Sequence, residues 1–366
     1  MVLRNRFMRS ATYESLADEN GFPTSRMNSL YETLAKSQTG LIVSGGVYTE
    51  MQGRGHKNQL GLINDEQMDH LALTVDVIHK KGGLFAVQLN HAGVEARKSV
   101  NGGHIPEGPS KLSPHNSEMS HDTVMRVVES FIQSARRAYA IGVDAVQLHA
   151  AHGYLLGEFL SPIWNKRTDK YGVDQKGRFE IVRLIIEGIR SYVPSCFPVF
   201  LKINGHDVEP NGVTLKESIQ TAQFAQKCGV DALEISGGSG RKPYSLLGDI
   251  DFDYIFKDPK KKGEMQKRFV DIHFKSCFNL EYAEEIKKHV SIPIISVGGF
   301  RTLAEMENAV NSNKCDIVSM SRPFIREPNL VENLISGATN KSTCVSCNRC
   351  FFSTTSGKPM RCLFPY

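Results

Sequence analysis

The strongest constraint on the fold of this chain is an alternation of short apolar segments with longer segments of helical periodicity. Eight apolar, strand-like segments recur, at residues 5–11, 40–46, 84–90, 144–149, 198–203, 231–236, 293–299 and 315–320. Helical periodicity fills several of the gaps, at 65–82, 121–141, 176–193 and 215–229. Short and almost continuously apolar strands are typical of a parallel sheet with both faces buried.

Eight strand-then-helix units predict an α/β fold, the (β/α)₈ TIM barrel. This fold ordinarily takes about 250 residues and exceeds 400 with insertions, which accommodates a chain of 366 residues. The extra length lies at 93–120 and 239–278, after the third and sixth strands, where it would shape a pocket on the catalytic face. A doubly wound sheet is the alternative. Its glycine-rich turn follows the first strand, whereas the glycine cluster here, at 237–240, follows the sixth.

The chain divides into two segments of different composition. We expect residues 1–338 to form the barrel and the cysteine-rich segment 339–366 to pack on it. Within the barrel, Thr214 and Glu217 have the pattern of a capping box before the helix predicted at 215–229, and Gly229 is a typical stop after it.

Charge and hydropathy exclude several classes of function. Lys and Arg number 44 against 39 Asp and Glu, and no basic cluster is interleaved with aromatic residues, so a nucleic acid is not an expected partner. No segment approaches the roughly 20 apolar residues of a membrane span, and the charged N-terminal segment does not fit a signal peptide. We expect a cytoplasmic protein that acts on a small molecule, either as a monomer or as a homo-oligomer.

Glycines and polar residues gather at the ends of the predicted strands, where TIM barrels keep their catalytic groups. The seventh strand ends in Gly298 and Gly299, and the eighth leads into Ser321 and Arg322. These two loops usually bind phosphate in this fold, because glycine lets backbone N–H groups approach the anion and arginine adds a bidentate contact. We predict a phosphate site here rather than ordinary turns.

A second group of candidates, His149, His152 and Tyr154, follows the fourth strand. Two donors three residues apart could hold a carbonyl oxygen, and the phenol could supply a proton. A zinc site is one rival interpretation, but two histidines with no evident third ligand are too few. A structural pair of histidines is the other, and a position on the barrel rim disfavours it.

Gln88 and Lys202 end the third and fifth strands. The Gln88 amide has both a donor and an acceptor, which suit the edge of a pyrimidine-like ring. Lys202 could be a fixed positive charge or a Schiff-base nucleophile. The second possibility would make the protein a barrel lyase that uses the same phosphate site.

The sequence resembles the old yellow enzyme family of NADH:flavin oxidoreductases, in particular the barrel domain of the 2,4-dienoyl-CoA reductase and trimethylamine dehydrogenase branch. The matching segments run from residue 3 to residue 362 and include LRNRFMRSAT, GLIVSGG, AVQLNHAG, HAAHGYLLGEFLSPIWNKRTDKYG, SVGGF, IVSMSRPFIREPNL and CVSCNRC. The resemblance implies a barrel that binds FMN, accepts hydride from NAD(P)H and reduces the activated C=C bond of an enone or enoyl-type substrate in a ping-pong cycle.

The resemblance also implies a role for each candidate residue. His149 and His152 would hold the activating oxygen of the substrate, and Tyr154 would donate the proton. Lys202 stands where many relatives carry arginine, beside N1 and the C2 carbonyl of the flavin. The residues implied to contact the flavin ring are Ser10, Ala11, Thr12, Gly46, Gln88 and Lys202, and those implied to hold its phosphate are Gly298, Gly299, Ser321 and Arg322.

Four cysteines near the C-terminus, Cys344, Cys347, Cys350 and Cys362, form the pattern C-x₂-C-x₂-C-x₁₁-C. In a reducing compartment such a group indicates metal binding, and a [4Fe–4S] cluster, a zinc ion and free thiols are the alternatives. Their order and spacing resemble the iron–sulfur ligands of the multidomain relatives, which favours [4Fe–4S]. In those relatives the cluster passes electrons to a second flavin domain.

Two departures from the family pattern affect the expected function. The chain begins at the first barrel strand, where relatives usually carry a preceding hairpin, and it ends soon after Cys362, without the FAD- and nicotinamide-binding domains. We therefore expect an open barrel base or a truncated chain. An iron–sulfur flavoprotein that passes electrons to a partner protein is the alternative function.

Overall fold

Eight parallel strands close into a barrel in the computed structural model, which describes residues 1–240, 248–269, 273–355 and 357–365. Each strand pairs with the next in the chain, and the last pairs with the first. The TIM barrel and all eight predicted strand positions are confirmed, and the doubly wound alternative is wrong. The strands are β1 (Phe7–Arg9), β2 (Leu41–Val43), β3 (Phe85–Asn90), β4 (Ala145–Ala150), β5 (Val199–Asn204), β6 (Ala232–Ser236), β7 (Ile294–Val297) and β8 (Ile317–Met320).

Helices connect the strands and surround the barrel. The long ones turn an apolar face toward the strands; Ile185 and Ile189 of α5, for example, are fully buried. The helices are α1 (Ser25–Lys36), α2 (Asp65–His79), α3 (His121–Ala140), α4 (Leu155–Leu160), α5 (Gln175–Tyr192), α6 (Leu215–Lys227), α7 (Phe252–Ile255), α8 (Pro259–Arg268), α9 (Leu280–Lys287), α10 (Leu303–Asn311), α11 (Arg322–Arg326), α12 (Leu330–Ile335) and α13 (Arg349–Thr355).

The predicted start of α6 is confirmed, and the helix ends at Lys227, two residues before the end of the predicted segment 215–229. The side chain of Thr214 accepts a hydrogen bond from the backbone N–H of Glu217, and the Glu217 carboxylate accepts one from the backbone N–H of Thr214. Gly229 follows the helix with φ of 92°, a left-handed conformation that glycine adopts without strain.

The barrel interior has an apolar layer below a polar one. Successive strand residues point to opposite faces, so residues two apart share the interior. A separate apolar cluster inside the strands includes Met8, Ala86, Ala145, Phe200 and Ala232. Two positions further along each strand, toward its carboxyl end, stand Ser10, Gln88, Gln147, Lys202 and Glu234, all buried. The period of the strands therefore places polar side chains directly beneath the catalytic face.

The segment after residue 338 attaches to the carboxyl-end loops of the barrel. Lys341 forms a backbone bridge to Thr302, and the backbone N–H of Ser342 donates to the carbonyl of Arg301. Arg349 forms an ion pair with Asp251 of the β6–β7 connection. None of the helices in the described part of the chain combines the length and the apolar character needed to cross a membrane.

Candidate active site

A cavity of about 520 Å³ opens at the carboxyl ends of the strands. It brings together every catalytic and flavin-site residue named from the sequence. The cavity also has lining residues that the sequence analysis did not predict, among them Tyr13, His56, Asn90, Glu95, Arg97, Arg301, Phe269, Phe352 and Met360. The residues named beforehand are Ser10, Ala11, Thr12, Gly46, Gln88, His149, His152, Tyr154, Lys202, Gly298, Gly299, Ser321 and Arg322.

The floor of the cavity is an ion pair between Lys202 and Glu234. Their side chains are 4% and 0% exposed, and Lys202 Nζ lies 3.3 Å from Glu234 Oε2. Lys202 also donates to Ser10 Oγ at 2.8 Å, and Ser10 donates in turn to Glu234 Oε1 at 2.7 Å. The ion pair favours a fixed positive charge at Lys202 over a Schiff-base nucleophile, because a nucleophilic amine needs a free electron pair.

Glu234 also fixes the amide of Gln88 through Gln147. A carboxylate only accepts hydrogen bonds, so the nitrogen of Gln147 faces Glu234, at 2.9 Å. The oxygen of Gln147 then accepts from Gln88 Nε2, at 2.7 Å. The network thus determines which atom of the Gln88 amide is the nitrogen and which is the oxygen, two atoms that are otherwise hard to tell apart. Glu234 and Gln147 were not predicted from the sequence. Each is a polar residue that alternates with apolar residues in a buried strand, and this pattern could have indicated that they face the barrel interior.

Two arginines stand at the other end of the cavity, on the loops after β7 and β8. Burial, and then the charge of Arg301, lowers the pKa of Arg322 to about 10. Burial also lowers the pKa of Arg301. Arg322 donates to Asn348 Oδ1 at 2.7 Å, and Arg301 donates to the carbonyl of Cys344 at 2.9 Å. Two half-buried guanidiniums that repel each other fit a doubly charged anion between them.

The two glycines of this end allow a tight backbone turn that packs too closely against residues 275–279 for a side chain. Gly298 and Gly299 have φ of 120° and 82°, conformations that other residues rarely adopt. A Cβ on Gly299 would lie 2.5 Å from the backbone nitrogen of Cys277. Thr12 Oγ1 lies 2.6 Å from Ser321 Oγ, which ties the end of β1 to the end of β8. Together with the Gln88 and Lys202 floor, this arrangement fits the phosphate and pyrimidine ends of FMN.

His149 and His152 lie beside each other at the end of β4, with ring centroids 5.1 Å apart. Burial, followed by the charge of Lys202, lowers the pKa of His152 to about 3. Burial also lowers the pKa of His149, well below its usual value. His152 Nε2 lies 2.7 Å from Ser236 Oγ, whereas His149 Nδ1 is buried and has no hydrogen-bond partner among the described residues. Both rings are therefore neutral near pH 7.

Tyr154 stands next to this pair because the chain turns sharply after β4. His152 and Gly153 have φ of 63° and 74°, and Tyr154 then occupies the position just before the first residue of α4. The Tyr154 ring lies 5.3 Å from that of His149. Burial raises the pKa of the Tyr154 phenol to about 12, so the group keeps its proton at neutral pH.

The four C-terminal cysteines line a second, small cavity of about 20 Å³. Cys350 lines both cavities, and Arg326 Nη1 lies 3.4 Å from Cys362 Sγ. Within the described ranges, no group of three or more His, Cys, Asp or Glu is arranged to hold a single metal ion. In a [4Fe–4S] cluster each thiolate binds a different iron, so the sulfurs need not converge on one point. The metal site remains a prediction.

Fold and site together define a class of protein: a TIM barrel whose cavity has two arginines at one end and neutral histidine and tyrosine side chains near Lys202 and Gln88. The model of the NADH:flavin oxidoreductase / NADH oxidase family matches residues 1–341, and the chain belongs to this family. FMN and NAD(P)H are the cofactor and co-substrate that membership implies.

Two related proteins have a sequence identity of just under 30% to this chain. The chain is 29% identical over 355 residues to an NADH oxidase of Thermoanaerobacter brockii. The aligned region covers 95% of this chain and 51% of the NADH oxidase. The chain is 28% identical over 363 residues to a 4,4'-dithiodibutanoate disulfide reductase of Rhodococcus erythropolis, covering 96% and 89%. The chain thus spans about half the length of the NADH oxidase and most of the length of the disulfide reductase.

Solved structures agree on the fold. A 2-naphthoyl-CoA reductase in complex with 2-naphthoyl-CoA superposes with a TM-score of 0.86 at 26% identity, covering 98% of this chain and 54% of that one. The old yellow enzyme homologue from Zymomonas mobilis gives a TM-score of 0.75 at 21% identity, covering 94% and 92%. The second likeness supports the barrel architecture alone.

Proposed function

We propose that the protein reduces a C=C bond activated by a neighbouring carbonyl group, with electrons that NAD(P)H delivers to FMN in a ping-pong cycle. The observation that carries this proposal is the meeting of His149, His152 and Tyr154 at one cavity. When bound, FMN supplies the hydride chemistry, first with the nicotinamide and then with the substrate. The protein supplies position and electrostatics.

The residues at the two ends of the cavity would hold the flavin. Arg322 and Arg301 would bind its phosphate together with backbone N–H groups of the glycine loop. Gln88 would read the pyrimidine edge, and Lys202 would place a positive charge beside it. Backbone groups of residues 10–12 and Gly46 would face the ring.

The two histidines would bind the carbonyl oxygen of the substrate. Because both rings are neutral, each has one N–H to donate, and neither can protonate the oxygen outright. Donation by two neutral groups draws electron density toward the oxygen and makes the β-carbon a better hydride acceptor. Tyr154 remains protonated at neutral pH, so its phenol can deliver a proton to the α-carbon.

The two half-reactions test this assignment. In Tyr154→Phe, reduction of the enzyme by NAD(P)H should keep its rate, and reoxidation by 2-cyclohexenone should slow by roughly 10²–10⁴-fold. Stopped-flow absorbance of the flavin measures each half separately. Tyr139→Phe, a change at a tyrosine that is 41% exposed, is the control. Equal slowing of both halves would show that Tyr154 is structural.

A second function rests on a separate observation, the position of Cys350 in both cavities. We propose that the four cysteines bind a [4Fe–4S] cluster and that the enzyme exchanges electrons with a partner protein. Burial raises the pKa of Cys350 to about 12, and binding of a metal would displace the proton of this thiol.

Metal analysis after anaerobic purification decides between the alternatives for the cysteines. A [4Fe–4S] cluster gives about four iron atoms and four acid-labile sulfides per chain. Zinc without sulfide would instead indicate a structural ion. The absence of both after anaerobic purification would mean free thiols and would remove the electron-transfer proposal.

A further inference from the structure

A histidine outside the family motifs contacts the proposed proton donor. His56 lies on the connection between β2 and α2, and its Nε2 is 3.2 Å from the hydroxyl of Tyr154. On its other side the ring stacks on Tyr13, with centroids 4.4 Å apart and planes 24° from parallel. Both His56 and Tyr13 line the cavity. The ring is therefore held in one orientation, edge-on to the phenol.

The surroundings of His56 determine which ring nitrogen carries the proton. Burial, together with the charge of Arg97, lowers the pKa of His56 to about 4, so near pH 7 the ring is neutral and has a single N–H. Nδ1 is buried and has no hydrogen-bond partner in the part of the chain that the structure describes. An N–H placed there would lose its hydrogen bond to water without replacement. This reasoning assigns the proton to Nε2, and in that tautomer His56 donates to Tyr154 Oη.

This direction matters for the chemistry of Tyr154. A phenol that accepts a hydrogen bond from His56 keeps its own proton free to point at the substrate. Had His56 been the acceptor, the same proton would be directed away from the substrate. Of the charged side chains that act on Tyr154, Glu95 opposes formation of the phenolate and Arg97 favours it. In the assigned tautomer, the Nε2–H of His56 is the direct donor to the phenol oxygen.

We propose that His56 is a positioning residue for the proton donor: it orients the Tyr154 hydroxyl and stabilises the phenolate that remains after proton transfer. In that step the O–H bond of Tyr154 breaks, its electron pair stays on the phenol oxygen, and the enolate carbon forms the new C–H bond. A proton from water then restores the phenol. The inference rests on the proposed role of Tyr154.

The tautomer can be observed without turnover. In the FMN-bound enzyme with ¹⁵N-labelled histidine, long-range ¹H–¹⁵N correlation spectra separate a protonated ring nitrogen from a bare one. The signals that vanish in His56→Phe belong to His56. We expect Nε2 to be protonated and Nδ1 to be bare. Protonation at Nδ1 would overturn the proposal, whatever the role of Tyr154.

The half-reactions test the role itself. His56→Phe keeps the ring stacked on Tyr13 but removes the donor. Reoxidation by 2-cyclohexenone should slow by roughly 10- to 150-fold, the usual effect of a lost hydrogen bond to a charged group, and reduction by NAD(P)H should not change. His56→Gln restores an N–H and should recover much of the rate. His70→Phe, at a histidine that packs on Phe22 on the outer surface, is the control.

A double mutant distinguishes the possible failures. If His56 acts through Tyr154, adding His56→Phe to Tyr154→Phe should not slow reoxidation further. An equal loss in both backgrounds would mean that His56 acts on the substrate or the fold, and it would overturn the proposal. If Tyr154→Phe alone leaves reoxidation unchanged, the proposed function has failed and the positioning role fails with it. Equal FMN content and thermal stability of the variants confirm that each is folded.

Discussion

At the scale of single residues, the two ends of the cavity differ in how their charges are balanced. The positive charge of Lys202 has the buried carboxylate of Glu234 beside it. Arg322 instead has Arg301 near enough to lower its pKa, and it donates to a neutral amide, Asn348. A phosphate group bound between Arg301 and Arg322 would relieve the repulsion between the two guanidiniums.

The first residue-scale prediction concerns cofactor retention. Arg322→Ala removes a charge-assisted hydrogen bond to the phosphate, which is worth about 1.5–3 kcal/mol. The dissociation constant of FMN, measured by fluorescence titration of the apoprotein, should rise by the corresponding factor of roughly 10 to 150. Arg183→Ala, at an arginine of α5 that pairs with Glu180 and Glu187, is the matched control. An unchanged dissociation constant in Arg322→Ala would place the phosphate elsewhere.

The sequence predicted residues near the carboxyl ends of strands better than it predicted their buried partners. The group around His149, together with Gln88 and Lys202, which lie two residues before the ends of β3 and β5, was predicted because catalytic groups gather at strand ends in this fold. Glu234 was not predicted, because a single carboxylate in an apolar strand matches no motif. Its role is evident only from its partners across the barrel, Lys202, Ser10 and Gln147. His56 and Arg301 lie on loops, where no periodicity indicates which way a side chain points.

At the scale of elements, local sequence patterns determined where helices begin. Thr214 and Glu217 cap α6 reciprocally, as their spacing predicted. The same box recurs at Thr302 and Glu305 of α10, which the sequence analysis did not single out. Both boxes follow strand ends, so they also fix where each loop of the catalytic face stops and its helix starts.

The cap of α6 gives a prediction about stability. Thr214→Ala leaves backbone donors of the first turn unsatisfied and should lower the free energy of unfolding by about 1 kcal/mol. Urea denaturation followed by circular dichroism measures this difference. Thr33→Ala, within α1, is the control, since that exposed hydroxyl donates only to the Ser29 carbonyl four residues earlier in its own helix. Equal destabilisation in the two variants would show that the box adds nothing specific.

At the scale of the whole molecule, the fold was predictable and the meeting of distant loops was not. Buried parallel strands have few alternatives once eight of them alternate with helices. The contact between His56 and Tyr154 joins residues 98 apart in the chain, and Cys350 reaches the cavity from the C-terminal segment. Such contacts form only when the barrel closes, so no local sequence pattern can predict them.

The seam between the first and last strands has a consequence for how the enzyme is made. Met8 of β1 is in register with Ser319 of β8, and the hydroxyl of Thr12 meets that of Ser321. Because a ribosome releases the N-terminal end first, β1 can pair with β2 early but must wait for nearly the whole barrel to be synthesised before it pairs with β8. The phosphate end of the cavity, which spans this seam, cannot exist earlier. We therefore expect FMN to bind late, and a chain whose synthesis stops before residue 317 should have no site for it.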